Sequence, residues 1–183
     1  MIVDYQDAQN ALAQAECLFS NEQVQEAIAR MAAEITRDLA ERDPLVLCVM
    51  TGAVIPAGHL LTQLNFLLQI DYIHATRYRG ETVGGRLNWI VKPSHSLRGR
   101  DILIIDDIFD EGVTLNEIVD YCWAEGAHDV RTAVLINKLH DRKQKMHINY
   151  IGLETADHYL FGYGMDYHGY LRNMPGIYAV KED

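Results

Sequence analysis

The sequence predicts an α/β fold with a mainly parallel central sheet flanked by helices, and two observations support this. Apolar residues dominate three short runs, 45–50, 102–105 and 130–136, which have the length and composition of strands buried on both faces. Between such runs, apolar residues recur at helical spacing, as from Val24 to Leu39. Strands that alternate with helices pair in parallel through right-handed crossovers, so we expect one sheet covered by helices.

The individual elements follow from the same patterns. The first helix begins at a capping box of Ser20 and Gln23 and ends before Asp43-Pro44. The later elements are a strand at 45–50, a helix at 55–64, strands at 67–75, 87–91 and 102–105, a helix at 115–123, and strands at 130–136 and 150–153. The charged stretches 76–85 and 92–100 are predicted to be loops.

The composition limits the class of protein. Of the 183 residues, 49% are hydrophobic and 23% are charged, as in globular proteins, and the lack of a repeat or linker predicts a single domain over residues 1–183. No apolar run reaches the ~18 residues that span a bilayer, and the net charge of −10 disfavours binding to nucleic acid. We therefore expect neither a membrane nor a nucleic acid as partner. Three widely spaced cysteines and an N-terminus without a secretory pattern favour the cytoplasm.

Residues 102–114 combine a buried strand with polar groups that suit a sugar phosphate. Asp106 and Asp107 follow the apolar run, where carboxylates can accept hydrogen bonds from sugar hydroxyls and attract Mg²⁺. The segment that begins at Asp110 leads into the N-terminus of a helix, which favours a phosphate. Gly112 allows a close approach of the backbone, and Thr114 can donate its hydroxyl or cap the helix. Each carboxylate alone could be a loop or cap residue, but the combination indicates a binding site.

This segment resembles the phosphoribosyl-pyrophosphate signature of the type I phosphoribosyltransferases: an apolar strand, an acidic pair, two apolar residues, and then Asp-x-Gly-x-Thr. Further segments resemble the hypoxanthine-guanine phosphoribosyltransferases, and the likeness is in register from about residue 45 to residue 178. These further segments are 50–53, Thr76-Arg77-Tyr78, Lys138 at the end of a predicted strand, and 157–172.

The resemblance implies a fold and a reaction. A core of about residues 40–150 would carry a small hood, formed by the N-terminal segment and about residues 151–183. The enzyme would transfer the 5-phosphoribosyl group from phosphoribosyl pyrophosphate to hypoxanthine or guanine in purine salvage, giving IMP or GMP plus pyrophosphate. Mg²⁺ would be the cofactor, and the chain would assemble as a homodimer or homotetramer.

The resemblance also implies roles for individual residues. The phosphoribosyl-binding residues would be Asp106, Asp107, Asp110, Glu111, Gly112, Val113 and Thr114. The pyrophosphate-binding residues would be Thr51, Gly52 and Arg172, with a cis peptide bond between Thr51 and Gly52. The purine-binding residues would be Lys138, Tyr159, Leu160 and Asp166. The mobile lid would begin at Thr76, Arg77 and Tyr78. The metal ligands would be Asp106, Asp107 and Asp166. Asp110 would be the catalytic residue, as a general base or a hydrogen-bond acceptor at the attacking edge of the purine.

Other interpretations of the sequence stay open at this point. Lys138 would donate to the 6-oxo oxygen of the purine, so an adenine amino group there would place donor against donor. Xanthine differs from guanine only at position 2, and the sequence does not rank the two. An RNA-binding regulator on the same fold would need a broad basic face, which a chain of net charge −10 does not favour. Thr51, Glu111 and Val113 depart from the pattern of many relatives, and Glu111 would have to point away from the phosphate.

Overall fold

The structure is a computed structural model in which residues 4–77 and 87–181 are described. The helices in these ranges are α1 (Tyr5–Gln14), α2 (Asn21–Leu39), α3 (Val54–Leu61) and α4 (Val113–Ala124). The strands are β1 (Glu16–Phe19), β2 (Leu45–Met50), β3 (Gln69–Arg77), β4 (Leu87–Val91), β5 (Asp101–Phe109), β6 (Asp129–Leu139), β7 (Tyr150–Ala156), β8 (Leu160–Phe161) and β9 (Ile177–Ala179).

Within these residues, six strands form the central sheet in the order β4-β3-β2-β5-β6-β7. Strands β3, β2, β5, β6 and β7 pair in parallel, and only β4 is antiparallel, because it returns beside β3 at the edge of the sheet. The mainly parallel α/β sheet predicted from the sequence is therefore confirmed. The centre of the sheet is the most buried part: Leu45, Val46 and Leu47 on β2, like Leu103 and Ile104 on β5, are 0% exposed.

Helix α2 shows how local sequence and packing agree. The Ser20 hydroxyl accepts from the backbone N–H of Gln23, and the Gln23 side chain accepts from the backbone N–H of Ser20, so the predicted capping box is confirmed. The helix buries one face, including Val24, Ile28 and Ile35, against the sheet. Burial of each such side chain contributes about 1.5–3 kcal/mol to folding.

Strand β5 is longer than the apolar run that predicted it. Pairing with β6 continues from Asp106, opposite Val134, to Phe109, opposite Asn137. Asp106 and Asp107 therefore lie inside the strand. The sequence had indicated that they follow its end. The strands β6 and β7 also extend past their predicted ends at residues 136 and 153, because their pairing continues to Leu139, opposite Ala156.

A second, three-stranded antiparallel sheet has the order β1-β9-β8, and neither these short strands nor α1 was predicted from the sequence. The chain after β8 reaches the loop after β2: a Cβ added at Gly164 would lie 2.0 Å from the Gly52 carbonyl oxygen. This contact brings residues 162–165 to the carboxyl edge of the central sheet. Among the described residues, no helix combines the length and apolar character needed to cross a membrane.

Candidate active site

A cleft of about 330 Å³ opens at the carboxyl ends of β2, β3 and β5. Parallel strands end at one edge of the sheet, so residues far apart in the sequence meet there. The cleft is lined by nearly all of the predicted phosphoribosyl- and pyrophosphate-binding residues: Thr51, Gly52, Asp106, Asp107, Asp110, Glu111, Gly112, Thr114 and Arg172. Val113 is not among the lining residues, although it begins α4 beside them. Thr76 also lines the cleft, Arg77 ends β3, and Tyr78 lies outside the described residues.

The turn from β5 into α4 has the form of an anion-binding site. Gly112 is the N-cap of α4 with φ of 80°, a conformation that favours glycine. An added Cβ there would lie 2.3 Å from Cε2 of Phe109, so the position also lacks room for a side chain. No side chain caps this helix, so Thr114 does not act as its cap. The first backbone N–H groups of a helix have no partner within it, and at this end of α4 Gly112, Thr114 and Leu115 line the cleft.

On the opposite wall, the loop after β2 contains a cis peptide bond between Met50 and Thr51. The bond expected from the resemblance, between Thr51 and Gly52, is therefore wrong by one residue. The cis bond therefore lies directly at the end of β2, whose last residue is Met50. Gly52 then packs directly beside the carboxylate of Asp107.

Asp106 and Asp107 form a nearly buried acidic pair, each 9% exposed. Oδ1 of Asp106 accepts a hydrogen bond of 2.9 Å from the backbone N–H of Asp107. Burial, and then the neighbouring Asp107, raise the pKa of Asp106 well above its ordinary value. Burial also raises the pKa of Asp107, although the positive charge of Arg172 opposes this. Two buried carboxylates of this kind favour a cation beside them.

Asp166, the third predicted metal ligand, already has partners. Its Oδ1 lies 2.6 Å from Nη2 of Arg172, and its Oδ2 accepts from the backbone N–H of Gly169 at 2.7 Å. Arg172 also donates to the carbonyl oxygen of Gly164 at 2.6 Å. The salt bridge and this hydrogen bond hold Arg172, which lines the same cleft as the N-terminus of α4.

A smaller cleft of about 190 Å³ adjoins the first one. The two share Asp107, Ile108 and Asp110, so a ligand in one contacts the walls of the other. The smaller cleft is lined by all four residues predicted to bind the purine: Lys138, Tyr159, Leu160 and Asp166. The Tyr159 ring is 45% exposed and stacks on His168, with ring centroids 6.0 Å apart.

Asp110 and Lys138 both line the smaller cleft, and their side chains are in direct contact. Nζ of Lys138 lies 3.0 Å from Oδ2 of Asp110 and 3.4 Å from Oδ1 of Asp157. Burial acts to raise the pKa of Asp110, but hydrogen bonds from His140 and Lys138 outweigh burial and lower the pKa below its ordinary value. Asp110 is therefore ionised near neutral pH and can accept a hydrogen bond or a proton from a ligand.

Three residues at the site were missed by the sequence analysis. His140 contacts Asp110, Asp157 contacts Lys138, and His74 lines the larger cleft. His140 lies in a stretch of basic residues that includes Arg142, Lys143 and Lys145, and Asp157 begins the segment 157–172. No local pattern separates either of them from surface residues. Their positions depend on the pairing of β5, β6 and β7.

Asp110, His140 and Asp157 also form the one group of potential metal-binding side chains found among the described residues, with ligand atoms within 4.8 Å of one another. These are not the three metal ligands implied by the resemblance. The Lys138 ammonium lies between the two carboxylates and already compensates their charge. We therefore assign no metal ion to this group.

Comparison with known proteins identifies the family. Residues 14–168 match the phosphoribosyl transferase domain. The hypoxanthine-guanine-xanthine phosphoribosyltransferase of Tritrichomonas foetus is 31% identical over 166 residues, which cover 90% of this chain and 91% of the relative. The hypoxanthine-guanine phosphoribosyltransferase of Bacillus subtilis is 32% identical over 165 residues, which cover 90% of this chain and 92% of that relative. A crystal structure of a hypoxanthine-guanine phosphoribosyltransferase from Bacillus anthracis superimposes with a TM-score of 0.85 at 28% identity, covering 91% of this chain and 98% of that one. The chain belongs to the phosphoribosyl transferase domain family.

Proposed function

We propose that the chain is a purine salvage enzyme that transfers the 5-phosphoribosyl group from phosphoribosyl pyrophosphate to hypoxanthine or guanine, giving IMP or GMP plus pyrophosphate. The observation that carries this proposal is the junction of the two clefts at Asp107, Ile108 and Asp110. The larger cleft has the anion-binding features that a sugar pyrophosphate needs, and the smaller one suits a flat base. Relatives about one-third identical to the chain bear the names of such enzymes.

In the larger cleft, the 5′-phosphate would bind the N-terminus of α4 at residues 112–114. The pyrophosphate would lie between the loop at Thr51 and Gly52 and the guanidinium of Arg172. Glu111 lines the same cleft, so its carboxylate must turn away from the phosphate when substrate binds. Asp106 and Asp107 would accept hydrogen bonds from the ribose hydroxyls.

In the smaller cleft, Lys138 would donate to the 6-oxo oxygen of the purine, and Tyr159 would stack on its ring. The Leu160 carbonyl would accept from the ring N–H or the guanine amino group. As the new bond between C1′ and the purine nitrogen forms, the bond from C1′ to pyrophosphate breaks, and the purine loses a proton. Asp110, ionised and at the junction of the clefts, is the acceptor that we assign to that proton or its hydrogen bond.

Mg²⁺ is the cofactor in this proposal. The donor set fits it, because Asp106 and Asp107 supply hard oxygen ligands whose burial is costly without a cation. Asp166, whose carboxylate also forms the salt bridge with Arg172, would be a further ligand. The ion would neutralise the negative charge that develops on the leaving pyrophosphate.

Xanthine is a second candidate base, because the relative from Tritrichomonas foetus has xanthine in its name. Adenine is disfavoured, because its 6-amino group would face the Lys138 ammonium. The purine preference thus depends on contacts at position 2, near Leu160 and Asp166.

The test is a nucleotide-forming assay with phosphoribosyl pyrophosphate, Mg²⁺ and each of hypoxanthine, guanine, xanthine and adenine. We expect IMP and GMP, and no AMP. If neither hypoxanthine nor guanine is converted to its nucleotide, the proposal is refuted. A salt-dependent shift with RNA in a gel assay, without any nucleotide formed, would favour the RNA-binding alternative.

Three further parts of the proposal concern the whole chain. The small sheet β1-β9-β8 and residues 162–172 would form the hood of a single domain over 1–183. The three cysteines are free thiols, which suits the reducing cytoplasm. A homodimer or homotetramer stays a prediction, and light scattering coupled to size-exclusion chromatography would measure the assembly.

A further inference from the structure

His140 lies beside Asp110, and its side chain is 8% exposed. Its Nε2 lies 2.7 Å from Oδ1 of Asp110, and its Nδ1 lies 3.2 Å from the backbone nitrogen of Arg142. A backbone N–H can only donate, so Nδ1 of the ring is the acceptor of that bond. In the neutral ring the proton is then on Nε2, which donates it to Asp110.

The other oxygen of the same carboxylate is held by Lys138, at 3.0 Å from Oδ2. Each Asp110 oxygen therefore has one donor from the protein, and the carboxylate cannot rotate without losing one of them. The Asp110 side chain is otherwise 42% exposed and would be free to turn toward solvent. Each oxygen keeps a second lone pair, which is available to a ligand in the cleft.

Charged groups surround this arrangement from several elements. The cations are Lys138 on β6 and Lys143 in the loop that follows it, and Lys143 interacts electrostatically with Asp110. The anions are Asp107 on β5 and Asp157 after β7, and Asp157 is itself paired with Arg142. Asp166 and Glu111 line the adjoining walls. His140 thus donates to Asp110 from within a cluster of charged side chains of both signs.

We propose that His140 is a positioning residue for the phosphoribosyl transfer, which donates its Nε2–H to Oδ1 of Asp110 and orients that carboxylate toward the purine. Neither the resemblance nor the names of the relatives assign a function to this residue. The inference depends on the proposed function, because it acts through the role of Asp110 at the purine. Histidine here acts as an orienting donor and does not touch the substrate.

The test compares His140→Leu, His140→Gln and the control His147→Leu, which makes the same replacement at an exposed histidine of the same loop. Steady-state kinetics are measured with hypoxanthine and with phosphoribosyl pyrophosphate as the varied substrate. We expect His140→Leu to lower kcat about 10- to 100-fold, the effect of losing a hydrogen bond to a charged group. The KM for phosphoribosyl pyrophosphate should stay within about twofold of wild type. His140→Gln keeps an N–H donor and should recover most of the activity, and His147→Leu should match the wild type.

The pH dependence of kcat/KM for the purine is the second readout. Burial raises the pKa of Asp110, and hydrogen bonds from His140 and Lys138 lower it. Without the His140 donor, mainly Lys138 opposes the effect of burial, so we expect the pKa of Asp110 to rise. The acid limb of the profile should therefore move to higher pH in His140→Leu and return in His140→Gln. A role in packing alone would not move it.

The proposal is overturned if folded His140→Leu keeps the wild-type kcat and acid limb, or if folded His140→Gln is as impaired as His140→Leu. If His140→Leu does not fold, as judged by circular dichroism, the Gln variant decides: near-wild-type kcat supports the proposal, and a loss of about tenfold or more overturns it. If the wild type forms no nucleotide, the proposed function fails first. The nitrogen chemical shifts of His140 then test the contact itself, where an Nε2–H tautomer supports it and an Nδ1–H tautomer overturns it.

Discussion

The carboxylate of Asp107 packs directly against Gly52: a Cβ added to the glycine would lie 2.1 Å from Oδ2 of Asp107. This contact joins the loop after β2 to the acidic pair on β5 across the floor of the larger cleft. Asp107 is nearly buried and has little room to retreat. The cleft thus depends on a glycine at position 52.

The variant Gly52→Ala tests that dependence. We expect the added methyl group to displace Asp107 or the loop, and kcat/KM for phosphoribosyl pyrophosphate to fall about 10-fold or more. The matched control is Gly58→Ala in α3, where an added Cβ meets nothing within 4 Å. Alanine is better than glycine inside a helix by about 0.5–1 kcal/mol, so the control should keep its kinetics and gain stability. Equal kinetics in the two variants would contradict the importance of the contact.

Replacement of Asp110 by Asn tests the acceptor at the junction of the clefts. The amide is nearly the same size but has no negative charge to stabilise the departing purine proton. We expect kcat to fall about 100-fold or more, with the fold and melting temperature retained. Asp120→Asn, on the exposed face of α4, is the control and should be fully active. Near-normal turnover of Asp110→Asn would remove this residue from the mechanism.

Lys138→Ala should weaken purine binding more than sugar-phosphate binding. Lys138 is buried, with 8% of the residue exposed, and it lines the smaller cleft, while the phosphate-binding residues line the larger one. Loss of one hydrogen bond from a charged donor predicts a rise of about 10-fold in KM for hypoxanthine. Lys145→Ala, at an exposed lysine, serves as control. An equal rise in KM for both substrates would argue against a specific contact with the base.

Asp71 should stabilise the fold in a pH-dependent way. Its Oδ2 accepts from the backbone N–H of Ser94 at 2.7 Å, the Ser94 hydroxyl at 2.9 Å, the backbone N–H of His95 at 2.9 Å, and Nδ1 of His95 at 2.8 Å. Burial acts to raise the pKa of Asp71, but these hydrogen bonds outweigh it and lower the pKa well below its ordinary value. The folded state therefore binds the proton less readily than the unfolded state does. Its stabilisation is complete above the unfolded pKa of about 4 and is lost as the pH falls below that value.

Urea unfolding of wild type and Asp71→Asn at several pH values measures this effect. We expect the variant to be less stable by about 2 kcal/mol between pH 7 and pH 5, because an amide accepts these bonds less strongly. The difference should shrink below about pH 4, where the wild-type carboxylate loses its advantage. A difference that stays constant down to pH 3 would mean that packing, and not charge, accounts for it.

Local patterns were sufficient for much of the fold. The capping box at Ser20, the apolar run of β2 and the stop of α4 before Gly126 depend on neighbours in the sequence, and the structure has all three. Strands β8 and β9 are two and three residues long, too short for an alternation pattern, and they were missed. The end of β5 was also misplaced, because Asp106 and Asp107 interrupt the apolar run, whereas pairing with β6 continues past them to Phe109.

For the active centre, the sequence by itself determined the segment 102–114, because a buried strand, a glycine and a helix N-terminus are adjacent along the chain. Only the tertiary structure decided what surrounds Asp110. Lys138 is 28 residues away in sequence and His140 is 30, yet both donate to its carboxylate. That meeting results from the parallel pairing of β5 with β6, which brings the carboxyl ends of distant strands to one edge of the sheet. No local pattern encodes such a distance, since strand register depends on packing across the whole sheet.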